Sequence, residues 1–170
     1  ASALLTGVVA TAAAALFSST VLERQPNLVD AMAQLMHARY FAAGMLAAPA
    51  SAWGPFWHIQ QSLVTDAGWV SQYPPGHTAL LALGMRAGAV WLIGPLLLGV
   101  TAFVTTLLAE RLLPQQRIVA RIGALLTAVS PFLIAHAGAY MSHTSAAAFS
   151  VIAVFCALRA VDARMWSVAA

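Results

Sequence analysis

The stretch E23-R-Q-P-N-L-V-D-A-M-A-Q-L-M-H-A-R-Y40, which continues to S71-Q-Y-P-P-G-H77, interrupts an otherwise apolar chain. It is too polar to lie in hydrocarbon, whereas the chain on both sides of it is apolar enough to do so. Three of the five histidines also fall within it. We therefore expect a membrane protein that folds a long loop, about 23–86, against one face of the bilayer.

The composition supports this interpretation. Of the 170 residues, 61% are hydrophobic and only 8% are charged, whereas a soluble domain carries about 25% charged residues. The basic residues are eight scattered arginines, and they form no run or basic-aromatic stripe of the kind that binds nucleic acid. The single Cys156 excludes a disulfide within this chain.

Four apolar runs predict an all-α integral membrane fold, with one domain over 1–170. About 20 apolar residues are needed to cross the hydrocarbon core. Ser130-Pro131 interrupts the third run, and a proline there is expected to kink the helix. The predicted spans are 1–22, 87–110, 122–141 and 144–161.

The arginines predict how these spans are oriented. Positive charge in short loops marks the cytoplasmic side of a membrane. Both termini are therefore expected in the cytoplasm and the long loop outside, as in a multi-pass protein of a bacterial inner (plasma) membrane. The five arginines that share the cytoplasmic side are Arg111, Arg117, Arg121, Arg159 and Arg164.

Amphipathic surface helices are predicted within the loop. Asn27 is placed to cap a helix from Leu28 to Leu46, in which Asp30, Gln34 and His37 lie on one face. We expect this helix to lie along the membrane surface.

Two further elements are predicted later in the loop. Residues 56–73 form either a short hairpin or an irregular loop, with Asp66-Ala67-Gly68 as its turn. After Pro74-Pro75, a short helix runs from His77 to about Arg86.

The segment S71-Q-Y-P-P-G-H-T-A-L-L-A-L-G84 resembles the polyprenyl-phosphate-sugar-dependent glycosyltransferases of the GT-C superfamily. The likeness is to bacterial family 39-like proteins, which are related to protein O-mannosyltransferases and aminoarabinose transferases. The segment from Pro26 to Leu46 is similar to the family's first outer loop, where an acid opens a surface helix. The segments I93-G-P-L-L-L-G99, S130-P-F-L133 and Y140-M-S-H-T144 are similar to its later helices and corners.

The resemblance implies a lipid-linked sugar as the donor substrate, membrane lipids as surroundings, and no cofactor. Family members usually have eight or more spans, so we expect the chain to correspond to an N-terminal portion. Many also carry a second carboxylate, but here Ala31 follows Asp30, and the second outer loop, 136–143, contains no acid.

Sugar transfer needs a base for the acceptor hydroxyl and groups that stabilise the departing phosphate. Asp30 is the candidate catalytic base, although an acid in the first turn of a helix also serves as a cap. The candidate substrate-binding residues are His37, Arg86 and His143. Each has a plainer interpretation: an interfacial histidine, an arginine paired with bilayer phosphate, and a histidine beside an ordinary Ser/Thr cap.

No metal site is predicted, because the histidines lack ligand spacing. The alternative to an enzyme is a non-catalytic subunit of a larger respiratory or photosynthetic membrane complex. Helices rich in alanine and glycine would let it pack closely against other membrane subunits.

Overall fold

The computed structural model describes residues 1–49, 60–65 and 68–169, with side chains described to residue 162. The chain is 72% helical. In the described part, seven α-helices accompany one antiparallel hairpin. They are α1 (Ser2–Thr20), α2 (Val29–Ala42), β1 (Ser62–Thr65), β2 (Gly68–Ser71), α3 (Pro75–Arg86), α4 (Ile93–Leu112), α5 (Arg117–Ala128), α6 (Pro131–Gly138) and α7 (His143–Ala169).

Three helical stretches are long and apolar enough to cross a membrane: Ser2–Thr20, Val90–Leu112 and His143–Asp162. The stretch from Val90 includes a short 3-10 turn that leads into α4. The predicted third span is divided into α5 and α6, which meet at 42° and together could form a fourth crossing. Pro131 is the first residue of α6, where its missing N–H removes no helical hydrogen bond. The break therefore falls at the predicted Ser130-Pro131.

Helices α1 and α4 approach each other closely because small residues line their crossing. A Cβ atom added at Gly99 would lie 2.0 Å from Oγ1 of Thr11, and one added at Gly7 would lie 3.0 Å from the Gly99 carbonyl oxygen. Thr6 and Thr106 share a buried hydrogen bond of 2.7 Å between the two helices. Such contacts hold helices together where lipid removes the hydrophobic driving force.

Helix α6 packs into this pair at a second close approach. A Cβ atom added at Gly94 would lie 2.0 Å from the carbonyl oxygen of Ala137. The Ser18 hydroxyl donates to the Gly138 carbonyl oxygen at 3.2 Å. The broken span thus lies against both α1 and the start of α4.

Polar contacts identify one end of the helix bundle. Glu110 accepts hydrogen bonds from Ser2 at 2.8 Å and from Arg121 at 2.7 Å. Arg111 pairs with Asp162. The start of α1, the end of α4, the start of α5 and residue 162 of α7 therefore lie at the same end, as the arginine pattern requires. Which end faces the cytoplasm stays a prediction.

The opposite end carries the loop unit, which we define as residues 21–49, 60–65 and 68–89. Its first helix begins at Val29 after an extended Leu28, and no side-chain cap bond is formed there. The predicted capping by Asn27 is therefore wrong, and α2 ends at Ala42 rather than Leu46.

The rest of the loop unit follows the predictions more closely. Strands β1 and β2 pair in register from Ser62 opposite Ser71 to Thr65 opposite Gly68, so the hairpin alternative is confirmed. The predicted turn residues 66–67 lie outside the described residues. Helix α3 ends at Arg86 as predicted and begins two residues early, with Pro75 in its first turn.

Helix α2 buries much of its polar face within the loop unit. Gln34 is completely buried and His37 is 5% exposed, because this face packs on α3 and the hairpin. The opposite face leaves apolar side chains exposed: Leu28 at 45%, Val29 at 41% and Met32 at 47%. An outward apolar face fits a helix that lies at a membrane surface.

Candidate functional site

Asp30 and Tyr73 meet in space although 43 residues separate them in the chain. The Tyr73 hydroxyl donates to Oδ1 of Asp30 at 2.5 Å. Asp30 stands in the first turn of α2, where the helix dipole favours a carboxylate, and it remains partly exposed. The contact therefore joins the first turn of α2 to the segment before α3, and both side chains remain partly exposed.

Tyr73 is held as a proton donor in this pair. Desolvation, followed by its hydrogen bond with Asp30 and the charge of that carboxylate, raises the pKa of Tyr73 to about 12. The Tyr73 amide also donates to the Ser71 hydroxyl at 3.2 Å, which orders the turn before α3. The phenol consequently keeps its proton and orients the Asp30 carboxylate.

His37 links α2 to the segments that follow it. Its Nδ1 accepts a hydrogen bond from the Ser71 amide at 3.3 Å, so the proton resides on Nε2, which donates to the Leu46 carbonyl oxygen at 2.9 Å. The ring packs edge-on against Phe41 with centroids 4.4 Å apart. Both nitrogens are therefore used within the fold, and the predicted contact of His37 with substrate stays a prediction.

His77 and Tyr140 join the loop unit to the corner between α6 and α7. Nε2 of His77 lies 3.0 Å from the Tyr140 carbonyl oxygen, so this nitrogen carries the proton. Burial lowers the pKa of His77, which keeps the ring neutral. The Tyr140 hydroxyl in turn donates to the Arg24 carbonyl oxygen at 2.6 Å. This chain of contacts fixes the loop unit on the helix bundle.

Several buried polar atoms on α2 and α3 have no hydrogen-bond partner among the described residues. They are Oε1 and Nε2 of Gln34, Oγ1 of Thr78 and Nδ1 of His77. An unpaired buried polar group costs free energy. The sequence marked Gln34 as lying on the face of Asp30 but contained no signal for Thr78.

Arg86 and His143, the two predicted phosphate contacts, lie in different places. Arg86 lines a cleft of about 370 Å³ with residues at the end of α2 and just after it, including Phe41 and Leu46. His143 begins α7 and lies edge-on to His136, with centroids 4.9 Å apart. Among the described residues, neither side chain hydrogen-bonds to Asp30, whereas Tyr73 does.

A second cleft, of about 360 Å³, carries two arginines that the sequence did not single out. Arg24 lies with its guanidinium carbon 4.2 Å from the centre of the Trp91 ring. Arg39, in the last turn of α2, lines the same cleft. The available sequence signals were Arg24, two residues after the predicted first span, and Trp91, near the start of the second. Their contact depends on the fold.

In the part of the chain that the structure describes, no three His, Cys, Asp or Glu side chains lie together as a metal ion would require. The candidate site consists of the Asp30 carboxylate, which accepts a hydrogen bond from the Tyr73 phenol. A separate cleft is lined by Arg24 and Arg39. No protein-family model, characterised protein or solved structure matches this chain.

Proposed function

We propose that this chain forms the site-bearing part of a membrane glycosyltransferase that uses a polyprenyl-phosphate sugar as its donor. The observation that carries the proposal is the 2.5 Å hydrogen bond from Tyr73 to Asp30. It joins, at the loop end of the spans, the two motifs on which the family resemblance rests.

In this proposal Asp30 is the base. An acceptor hydroxyl attacks the anomeric carbon of the donor and forms the new glycosidic bond, and its proton passes to the free oxygen of the Asp30 carboxylate. The bond between the anomeric carbon and the phosphate oxygen breaks, and the lipid phosphate leaves with the electron pair. A base must lie about 3 Å from the proton it accepts, and Tyr73 holds the carboxylate in one orientation for that purpose.

The departing phosphate needs cationic or hydrogen-bonding partners. Arg86 and His143 are the proposed contacts, and neither forms an ion pair with another described residue. Because they line different surfaces, a donor that touches both would have to extend across the loop unit. Separate Arg86→Gln and His143→Gln variants test the two contacts individually.

The test is donor turnover by the full chain in nanodiscs, measured as release of polyprenyl phosphate from a panel of polyprenyl-phosphate hexoses and pentoses. Asp30→Asn is expected to lower turnover about 10²- to 10⁴-fold, the usual contribution of a general base. Tyr73→Phe is expected to lower it less, because the carboxylate remains. Glu23→Gln is the matched control, since Glu23 is another exposed acid of the loop unit. Undiminished turnover by Asp30→Asn would refute the assignment.

The second candidate function is that of a non-catalytic subunit in a larger membrane complex. A groove of about 470 Å³ runs along α1 and α4, and its lining is almost entirely apolar. In α7, only 17% of the spanning window is buried within the chain. Both features leave room for further transmembrane helices. Native mass spectrometry of the membrane-extracted protein tests this candidate, because a subunit would retain partner chains at fixed stoichiometry.

A further inference from the structure

We infer that the cleft between Arg24 and Arg39 binds the phosphate of an anionic bilayer lipid, with the lipid's apolar part lying against α2. This site is separate from the one proposed for sugar transfer.

Arg24 is positioned by the fold before any ligand arrives. Its backbone has a φ of 60°, in the left-handed region that non-glycine residues seldom adopt. Its amide donates to the Ser18 carbonyl oxygen at 2.8 Å, and its own carbonyl oxygen accepts from Tyr140 at 2.6 Å. Its guanidinium lies over Trp91 at 4.2 Å. Main-chain and ring contacts therefore hold the cation at the cleft, and backbone strain of this kind often accompanies binding sites.

No described residue neutralises the positive charge in the cleft. Arg24 and Arg39 line it, and neither forms an ion pair with any described residue. No acid is among the described lining residues, of which Gln25 and Tyr140 are the other polar ones. Two unpaired guanidinium groups facing one cleft form a suitable site for a phosphate, whose oxygens accept their hydrogen bonds.

The rest of the lining indicates that the phosphate belongs to a lipid. The cleft lies beside the end of α1 and beside Trp91, which precedes α4, where a tryptophan marks the membrane interface. Thioether and aliphatic side chains form its walls and adapt readily to an apolar ligand. These side chains are Met32, Leu35, Met36, Met85 and Val90.

The two sites lie on opposite faces of α2. At 100° per residue, Arg39 is turned half a revolution from Asp30, and Met32 and Met36 fall on the arginine side. Gln34 and His37 fall on the side of Asp30. A helix with its side chains is about 10 Å across, so a phosphate in the arginine cleft cannot also be the leaving group of a reaction at Asp30. Lipid binding here consequently does not depend on the proposed transferase activity.

The experiment is native mass spectrometry of the full chain, extracted from nanodiscs that contain equal amounts of phosphatidylglycerol and phosphatidylcholine. The wild type is expected to retain one phosphatidylglycerol in preference to phosphatidylcholine. Arg39→Gln and Arg24→Gln should each weaken this preference about fivefold, as expected for one cation near an anionic headgroup. Arg39→Lys should retain most of it, because the charge is kept.

Arg117→Gln is the matched control, since Arg117 is an exposed arginine at the other end of the bundle. Equal losses in Arg117→Gln and Arg39→Gln would overturn the inference, because lipid retention would then follow net charge. Displacement of the lipid by millimolar inorganic phosphate would also overturn it, in favour of a soluble phosphate ligand. Arg39 is exposed, so its variants remain informative if Arg24→Gln disturbs folding.

Discussion

The α1–α4 interface and the α2–α3 interface differ in whether their buried polar groups are hydrogen-bonded. Between the spans, the hydroxyls of Thr6 and Thr106 lie 2.7 Å apart; one donates to the other, and the second donates to a backbone carbonyl of its own helix. Between α2 and α3, Gln34 and Thr78 are fully buried without a partner among the described residues. The polar groups between α1 and α4 are therefore hydrogen-bonded. The loop unit, in contrast, buries polar groups that no described residue hydrogen-bonds, and their burial costs free energy.

The largest expected effect is at the close approach of α1 and α4. Gly99→Ala should destabilise the protein by about 1–3 kcal/mol, because its Cβ would lie 2.0 Å from Thr11 Oγ1 and 2.9 Å from the Gly7 carbonyl oxygen. The thermal unfolding midpoint in detergent measures this loss. Gly123→Ala is the control, since nothing lies within 4 Å of its added Cβ and alanine favours a helix. Equal midpoints for the two variants would contradict the close approach of α1 and α4.

The next prediction compares one threonine from each interface. Thr6→Val removes a bonded hydroxyl and should cost on the order of 1 kcal/mol. Thr78→Val removes an unpaired buried hydroxyl and should leave stability unchanged or raise it by up to about 1–3 kcal/mol. Chemical unfolding of both variants under one condition provides the comparison. Marked destabilisation by Thr78→Val would mean that its hydroxyl has a bound partner.

A smaller change in folding stability is expected when the pH is lowered. Burial lowers the pKa of His77 in the folded protein, whereas an unfolded histidine has a pKa of about 6.5. Below that pH the unfolded chain takes up a proton that the folded chain excludes, so the contribution of His77 to stability is complete above pH 6.5 and falls as the pH decreases from there.

Unfolding midpoints between pH 8 and pH 5 measure this dependence. His77→Gln should flatten the slope, because glutamine does not titrate but can still donate to the Tyr140 carbonyl oxygen. His143→Gln, which alters an exposed histidine, is the matched comparison. An unchanged slope in His77→Gln would assign the pH dependence to other groups.

The smallest expected effect is on the ionisation of the Tyr73 hydroxyl. Tyr73 is expected to ionise only at about pH 12 because of desolvation and its bond to Asp30. Ultraviolet titration of the tyrosines follows this step, and Tyr73→Phe identifies it by its loss. Asp30→Asn should move the step to lower pH, since the carboxylate charge is removed while the burial remains. A Tyr73 step already at the ordinary value in the wild type would mean that the two side chains do not interact in solution.

Much of the fold was predictable because it depends on local composition. The apolar runs predicted four spans, of which three correspond to helices long and apolar enough to cross a membrane and the fourth to the bent pair α5 and α6. Pro131 predicted the break before α6, and the Pro-Pro pair predicted the start of α3 to within two residues. The shared end of the arginine-bearing segments was also predictable, since charges cannot lie in hydrocarbon. The start of α2 was missed by the cap argument because Asn27 precedes the extended Leu28, which is the true N-cap position.

The sequence by itself determined which segments can enter the membrane, since that depends on the transfer of each run from water to hydrocarbon. It also singled out Asp30 as a candidate base, but not the residue that hydrogen-bonds to it. Only the tertiary structure decided that Tyr73 bonds to Asp30, that His37 is occupied by the backbone, and that Arg24 meets Trp91. These contacts join residues from different elements, so they depend on tertiary packing, such as that of α2 on α3 and β2, rather than on any local pattern.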